Sequence, residues 1–480
     1  MKLMRRVFLC FFTLLSAAAL NAKVELPPVF ADNMVLQQQT DAALWGKAKP
    51  NSKVAIIPSW TKKKTVINAD ADGNWTARIK TPEAGGPYEI VFNDGEKLTL
   101  KNVLIGEVWV CLGQSNMDMP MNGFNGQPVN EAADYIMTAS PSLPIRTCQI
   151  QRNVAITPQK TCDARWMEHT PEGVKNTSAT AYFFARKLHE ALNVPVAVMV
   201  LSWGATPIQA WMNPELIKSD FASDVPSAHL FSSVLPEFEP FMEAGILYNG
   251  MLHSVIPFTA KGFLWYQGCG NRDEHQLYKR MQPAFVNMLR SEWGNENMSF
   301  YFTQLAPFQY EDPEARDTGF FMWAQAQTLE MIPKSGMAAT HDIGEKCCIH
   351  PAEKKKVGNR LAYLALANDY GVDAIDTKPA IYDHLEKADG KLYVYFNVTG
   401  GGLSPIHVEL PGFEVAGEDR VFYPATGFVA ESNTSRIEIR CPEVAEPVAV
   451  RYGMKNWSVA TLFNCYGTPV SPFRSDDWEK

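Results

Sequence analysis

Several features common in large proteins are missing from this 480-residue chain. It has no block of Lys and Arg, and 44 basic against 52 acidic side chains leave a formal charge of −8. That balance argues against nucleic acid or an anionic membrane surface as the main partner. No apolar run after the first 22 residues is long enough to span a bilayer. There is no internal repeat of fixed period and no low-complexity tract. Cysteine is sparse for the length, nine in all, so disulfides are not the framework of the fold. Around Ser115 the Gly-x-Ser-x-Gly elbow of α/β-hydrolases is also absent, because Met117 stands where its second glycine belongs.

What is present is organised in blocks. Residues 1–22 carry Lys2, Arg5, Arg6 and no acid, followed by an apolar stretch from Val7 to Leu15 and then small residues. That pattern predicts a secretory signal peptide cut near Ala19 or Ala22, and hence a periplasmic or secreted protein with no membrane span after cleavage. At this length two or three domains are expected. Residues 23–100 read as short strands punctuated by Asp-Gly and Gly-Gly, among them "SKVAIIPSW", "NWTARIKT" and "YEIVFND", which predicts an all-β domain of sandwich type. From 101 to 372 apolar strands such as "VLIGEVWVCL", "VPVAVMVLSWG" and "AKGFLWYQG" alternate with amphipathic segments such as "SATAYFFARKLHEAL". That alternation predicts a doubly wound α/β domain with a parallel sheet covered on both faces. From 373 to 480 β texture returns, with "KLYVYFNV", "RIEIRC" and "PVAVRYG", and predicts a C-terminal β-rich domain.

In open α/β sheets, ligands bind beyond the carboxyl ends of the strands. Four predicted strand ends carry Gly113-Gln114-Ser115-Asn116, Ser202-Trp203-Gly204-Ala205, Gln267-Gly268-Cys269-Gly270-Asn271, and His341-Asp342 with His350 shortly after. A serine, a glycine turn, an asparagine and a histidine are the parts of a serine hydrolase: nucleophile, oxyanion donors and general base. Each also has an ordinary structural reading, as turn, cap or loop residue. Their meeting at one sheet edge favours chemistry, because packing alone does not demand the coincidence. Trp203, Trp211, Trp265 and Tyr266 near the same ends are either sugar-stacking platforms or core.

The blocks "GEVWVCLGQSNM", "VPVAVMVLSWGATPIQAWM", "YNGMLHSVIPFTAKGFLWYQGCGN" and "IHPAEKKKVGNRLA" resemble the sialate O-acetylesterases of the SGNH hydrolase superfamily. The resemblance runs from "FADNMVLQQ" to "GTPVSPFRSDDW". It implies a flavodoxin-like SGNH domain flanked by β-sandwich-type domains, with no cofactor or metal. It implies Ser115 as nucleophile and first oxyanion donor, Gly204 and Asn271 as the other oxyanion donors, and His350 as base. The substrate it implies is an O-acetylated sialic acid, with acetylated xylan or another glycan second.

The chain departs from that pattern where an acid usually precedes the histidine by two residues, here Cys348, and where Glu usually follows "WYQG", here Cys269. Three expectations follow from the departure. Asp342 or Glu345 reaches His350, or a Ser–His pair works with a backbone carbonyl alone, and Cys269 pairs with Cys348 or Cys347 in an oxidising compartment. Two free cysteines weigh about equally against that bridge, and a zinc site from Cys347, Cys348 and His350 has poor spacing. A non-catalytic carbohydrate-binding protein on the same fold is the competing class. A glycosidase is disfavoured because no carboxylate pair is singled out by position.

Overall fold

The computed structural model describes residues 23–225, 230, 236–388, 391–398 and 401–478. The leader expected over residues 1–22 lies outside the described residues. Among the described residues no helix is long and apolar enough to cross a membrane.

Among the described residues thirteen strands precede the C-terminal part: β1 Val35–Gln37, β2 Asp41–Lys47, β3 Lys53–Pro58, β4 Thr65–Asn68, β5 Asn74–Lys80, β6 Gly85–Asn93, β7 Lys97–Gly113, β8 Ile145–Ile150, β9 Ala164–Glu168, β10 Val196–Ser202, β11 Gly262–Tyr266, β12 Ser299–Thr303 and β13 Ser335–Ala338. The main sheet has the order β13-β12-β11-β7-β10-β8-β9. Its strands are parallel except β9, which runs antiparallel to β8 at the edge. The edge pair was not legible as strands, because "IRTCQI" and "ARWME" carry charge. The fold neutralises that charge across the pair: Arg146 sits opposite Glu168 in register, with 3.0 Å between their charged groups.

Side chains of β7 alternate between two cores. Val108, Val110 and Leu112 join one, while Trp109 and Cys111 join the other, as the period of two requires. Helices α1 Ala179–Leu192 and α4 Lys354–Asp369 cover the second face, and α2 His275–Glu292 and α3 Asp317–Met331 the first. With both faces covered, the central strands have no polar side, which is why they read as continuous apolar runs.

The 17-residue strand β7 does double duty. Its first half pairs antiparallel with β6 and parallel with β1, and its second half is the centre of the α/β sheet. β1, β3, β4 and β6 are therefore in one hydrogen-bonded sheet with the strand that leads to Ser115, while β2 and β5 form a separate pair. The C-terminal part builds a seven-stranded antiparallel sheet around a core of its own. It is fastened to the α/β layer by a bidentate Arg316–Glu414 pair at 2.6 and 2.9 Å and by Gln304 Nε2 donating to Ser471 Oγ at 2.6 Å.

β7 ends at Gly113, whose φ is +145°, and a Cβ there would lie 2.2 Å from the Tyr266 carbonyl oxygen. Gly113→Ala is therefore expected to lower the unfolding free energy by roughly 3 kcal/mol or more, measured by urea denaturation. An unchanged midpoint would mean that the strand end can yield.

Candidate active site

Ser115 opens a single helical turn, Ser115–Asp118, directly after β7. The turn is clamped by its neighbours. Gln114 N–H donates to Tyr266 O at 3.0 Å, and Trp203 N–H donates to Gly113 O at 3.1 Å. The buried Gln114 amide oxygen accepts from Gly268 N at 2.8 Å and from Gly270 N at 3.4 Å. Asn116 reaches the opposite way, its Nδ2 donating to Ile349 O at 3.1 Å while its Oδ1 accepts from Lys354 Nζ. The Gln-Ser-Asn triplet thus presents the serine and, with the residues on either side of it, holds the loops that face it.

Ser115 Oγ lies 2.8 Å from His350 Nε2. His350 Nδ1 lies 2.6 Å from Gln127 Oε1. With a carbonyl facing it, Nδ1 carries the proton and Nε2 is left to accept from the serine hydroxyl. The expected acids are elsewhere. Asp342 is tied up by Arg360 at 2.6 and 2.8 Å and by Lys356, and Glu345 Oε1 accepts from Ala352 N at 2.7 Å. A neutral amide therefore occupies the orienting position, where the sequence pointed to Asp342, Glu345 or a backbone carbonyl. Gln127 closes a tight turn over Asn125-Gly126, with its backbone and that of Phe124 exchanging bonds at 3.0 and 3.0 Å. The Phe124 ring meets the imidazole edge-on, with centroids 5.2 Å apart. The one sequence signal for this residue is the "GFNGQP" turn shortly after the serine block.

The cysteines do not form the expected bridge. Cys269, Cys347 and Cys348 are all free thiols, and Cys348 Sγ bonds to His350 O at 3.3 Å. Among the described residues no group of His, Cys, Asp or Glu is arranged to hold a metal ion. Lys354 lies fully buried behind the histidine loop, over the Tyr266 ring. Burial pushes its amine down to about 7, against weaker opposing fields from Cys348, Cys269 and Glu345. Sequence alone cannot separate this lysine from half-buried Lys355 and exposed Lys356 beside it. Burial, with a smaller contribution from Lys354, lowers the His350 pKa to about 4, so the imidazole is neutral at pH 7 and able to accept a proton.

Gly204 stands beside the serine: a Cβ on it would be 3.4 Å from Ser115 Cβ. Among the described residues neither the Gly204 N–H nor the Ser115 N–H has a hydrogen-bond acceptor. Ala205 next to it takes φ +67°, a left-handed conformation that costs a non-glycine residue about 1 kcal/mol or more. Asn271 is buried close by. Its Oδ1 accepts from Ile208 N at 2.9 Å and Gln267 Nε2 at 2.8 Å, and its Nδ2 donates to Gln209 Oε1 at 2.8 Å and Glu274 Oε2 at 3.1 Å. The aromatic candidates divide. Trp211, Trp265 and Tyr266 are core, while Trp203 is half-buried, stacked on Phe241 at 5.0 Å with the Arg152 guanidinium over it. A hydroxyl bonded to a neutral, oriented imidazole beside free backbone N–H groups is equipped for nucleophilic attack on a carbonyl.

Comparison with known proteins gives the following. The family described as "Carbohydrate esterase, sialic acid-specific acetylesterase" matches residues 105–367. Sialate O-acetylesterase of Homo sapiens is 28% identical over 379 residues, covering 71% of this chain and 70% of that protein. The Mus musculus enzyme of the same name is 26% identical over 403 residues, covering 71% and 73%. The crystal structure of a carbohydrate acetylesterase from Xanthomonas citri superimposes with a TM-score of 0.85 at 30% identity, covering 95% of this chain and all of that one.

The electrostatics predict that the His350 ring, followed by NMR, titrates near pH 4 and is protonated at Nδ1 above that pH. A midpoint near the ordinary 6.5 would contradict the burial argument.

Proposed function

This chain belongs to the sialic acid-specific acetylesterase family of carbohydrate esterases, and from that premise we propose how its residues perform the chemistry. The chain is a carbohydrate O-acetylesterase, a carboxylic ester hydrolase. In our reading Ser115 Oγ attacks the acetyl carbonyl of a sugar ester while His350 Nε2 takes the hydroxyl proton. The oxyanion is met by the N–H groups of Ser115 and Gly204 and by the Asn271 amide, which exchanges one of its two acceptors, Gln209 or Glu274, for the developing charge. Donors so placed contribute about 3 kcal/mol each. His350 then returns the proton to the departing sugar oxygen. It next activates a water that releases acetate from Ser115.

The observation that carries this reading is the 2.8 Å Ser115–His350 contact with the far ring nitrogen already held at 2.6 Å. It weighs against a binding-only protein, for which no such alignment is required. Gln127 does the positional work of a triad carboxylate but supplies no negative charge to the imidazolium, so part of the usual stabilisation is forgone. O-acetylated sialic acid is the substrate we favour, acetylated xylan the alternative. We further read residues 101–372 as the SGNH-type catalytic domain, flanked by β units over 23–100 and 373–480. The basic, apolar start of the chain supports export to the periplasm or beyond.

Acetate release from O-acetylated sialic acid is expected to fall at least about 10³-fold in Ser115→Ala, with the unfolding midpoint unchanged. A variant that keeps its rate would remove serine from the mechanism. Protonation of His350 disables the base, so kcat/KM should hold down to about pH 4 and be lost as pH falls through it. An acid limb near 6.5 would contradict this assignment.

A further inference from the structure

A cavity of about 980 Å³ lies between the N-terminal β strands and the α/β layer, away from Ser115. One wall is a face of the β2/β5 ribbon. The register sets Ala43 opposite Arg78, Trp45 opposite Thr76 and Lys47 opposite Asn74, and by the period of two these side chains share a face. The facing wall is Lys160, Thr161, His253 and the Ile256-Pro257 step, with Glu25 at the rim. The walls are braced. Ala43 N–H donates to Thr259 Oγ1 at 2.9 Å, Glu25 and Lys47 exchange backbone bonds at 2.8 Å, and His253 Nδ1 lies 2.8 Å from Gln159 O.

The lining has the chemistry of sugar recognition. Trp45 is half-buried with its indole edge-on to Phe30, an aromatic surface of the kind that stacks on a pyranose ring. Thr76, Thr161 and Asn74 can serve hydroxyls.

Charge narrows the class. Lys47, Arg78 and Lys160 line the cavity against Glu25 alone, and among the described residues none of the three is within ion-pair distance of a carboxylate. Asp70 feels the field of Lys160 but makes no ion pair with it. Three unpaired cations around one cavity, in a chain of net charge −8, favour an anionic ligand.

We propose that this trough is a second glycan-binding site, selective for oligosaccharides that carry carboxylates, at the end of the sheet opposite Ser115. Pro257 lies just before β11, whose five residues run to the active-site edge, so roughly 15 Å of strand separates the two. Holding an acidic glycan there raises the local concentration of its acetylated units at Ser115 without touching the chemistry. The proposal does not depend on the esterase assignment, because it concerns binding of an acetyl-free sugar.

The test is calorimetric titration of the full chain with an acetyl-free trisaccharide of sialic acid, and with xylotriose as the neutral probe. The acidic trisaccharide should bind, with affinity falling at least tenfold in Trp45→Ala and in Lys160→Ala. Acetate release from a small aryl acetate should be unchanged in both variants. Arg78→Ala, on the exposed face, carries the same expectation if Trp45→Ala fails to fold. No binding by the wild type, binding unaffected by these substitutions (which would place the sugar at Ser115), or equal affinity for xylotriose would each overturn the proposal.

Discussion

The end of β7 pressed against β11 is the constraint on which the rest of the site depends. Only a residue without Cβ fits at Gly113, where the Tyr266 carbonyl would otherwise be 2.2 Å from a methyl group. That contact turns the chain sharply out of the sheet and leaves Ser115 at the head of a helical turn, its N–H without an acceptor among the described residues. The same strand, continued backwards, is the strand on which the N-terminal β unit is built. Strain or slippage there would reach both layers, since a one-residue shift in register would exchange the two cores that β7 feeds.

The Ser115–His350 pair is then held by neutral groups. Gln114 spans from the serine turn to the 268–270 loop, Asn116 spans to the histidine loop, and Gln127 holds the imidazole from the far side. Amides carry no charge to desolvate, whereas an orienting carboxylate at this partly buried site would carry a desolvation cost unless paired. The consequence is a weaker base. Nothing anionic faces Nδ1, burial disfavours the imidazolium, and Lys354 behind the loop adds to the effect. Cys269 and Cys348 stand where the family resemblance led us to expect acids, and among the described residues the buried lysine has no carboxylate within ion-pair distance. Its own pKa of about 7 follows from its burial.

Ser115, Gly204, Asn271 and His350 stood out in the sequence because strand ends are marked by an apolar run meeting a polar turn, and the structure brings Ser115 and His350 into contact with Gly204 beside them. The topology rule then says that such ends share one edge. The helices and central strands were legible for the same reason of periodicity. Gln127 was not, since a neutral glutamine in a loop has neither pattern nor charge to single it out; only the fold of the Asn125-Gly126 turn brings it to the histidine. β8 and β9 were hidden by Arg146 and Glu168, which cancel each other only once paired. The change of texture near residue 101 falls inside one strand, because β7 is shared by two layers. The free thiols show the limit of substitution logic: two cysteines at correlated positions need not be bonded.

In our reading a carboxamide does the positional work of a carboxylate for this serine–histidine pair. The most direct measurement is kcat/KM for acetate release as a function of pH in Gln127→Ala and Gln127→Glu. Loss of one hydrogen bond of ~1.4 kcal/mol predicts about tenfold lower activity for alanine. Glutamate should retain activity and move the acid limb upward, because an anion beside Nδ1 favours the charged ring. An alanine variant as active as wild type, with its acid limb unmoved, would contradict the account.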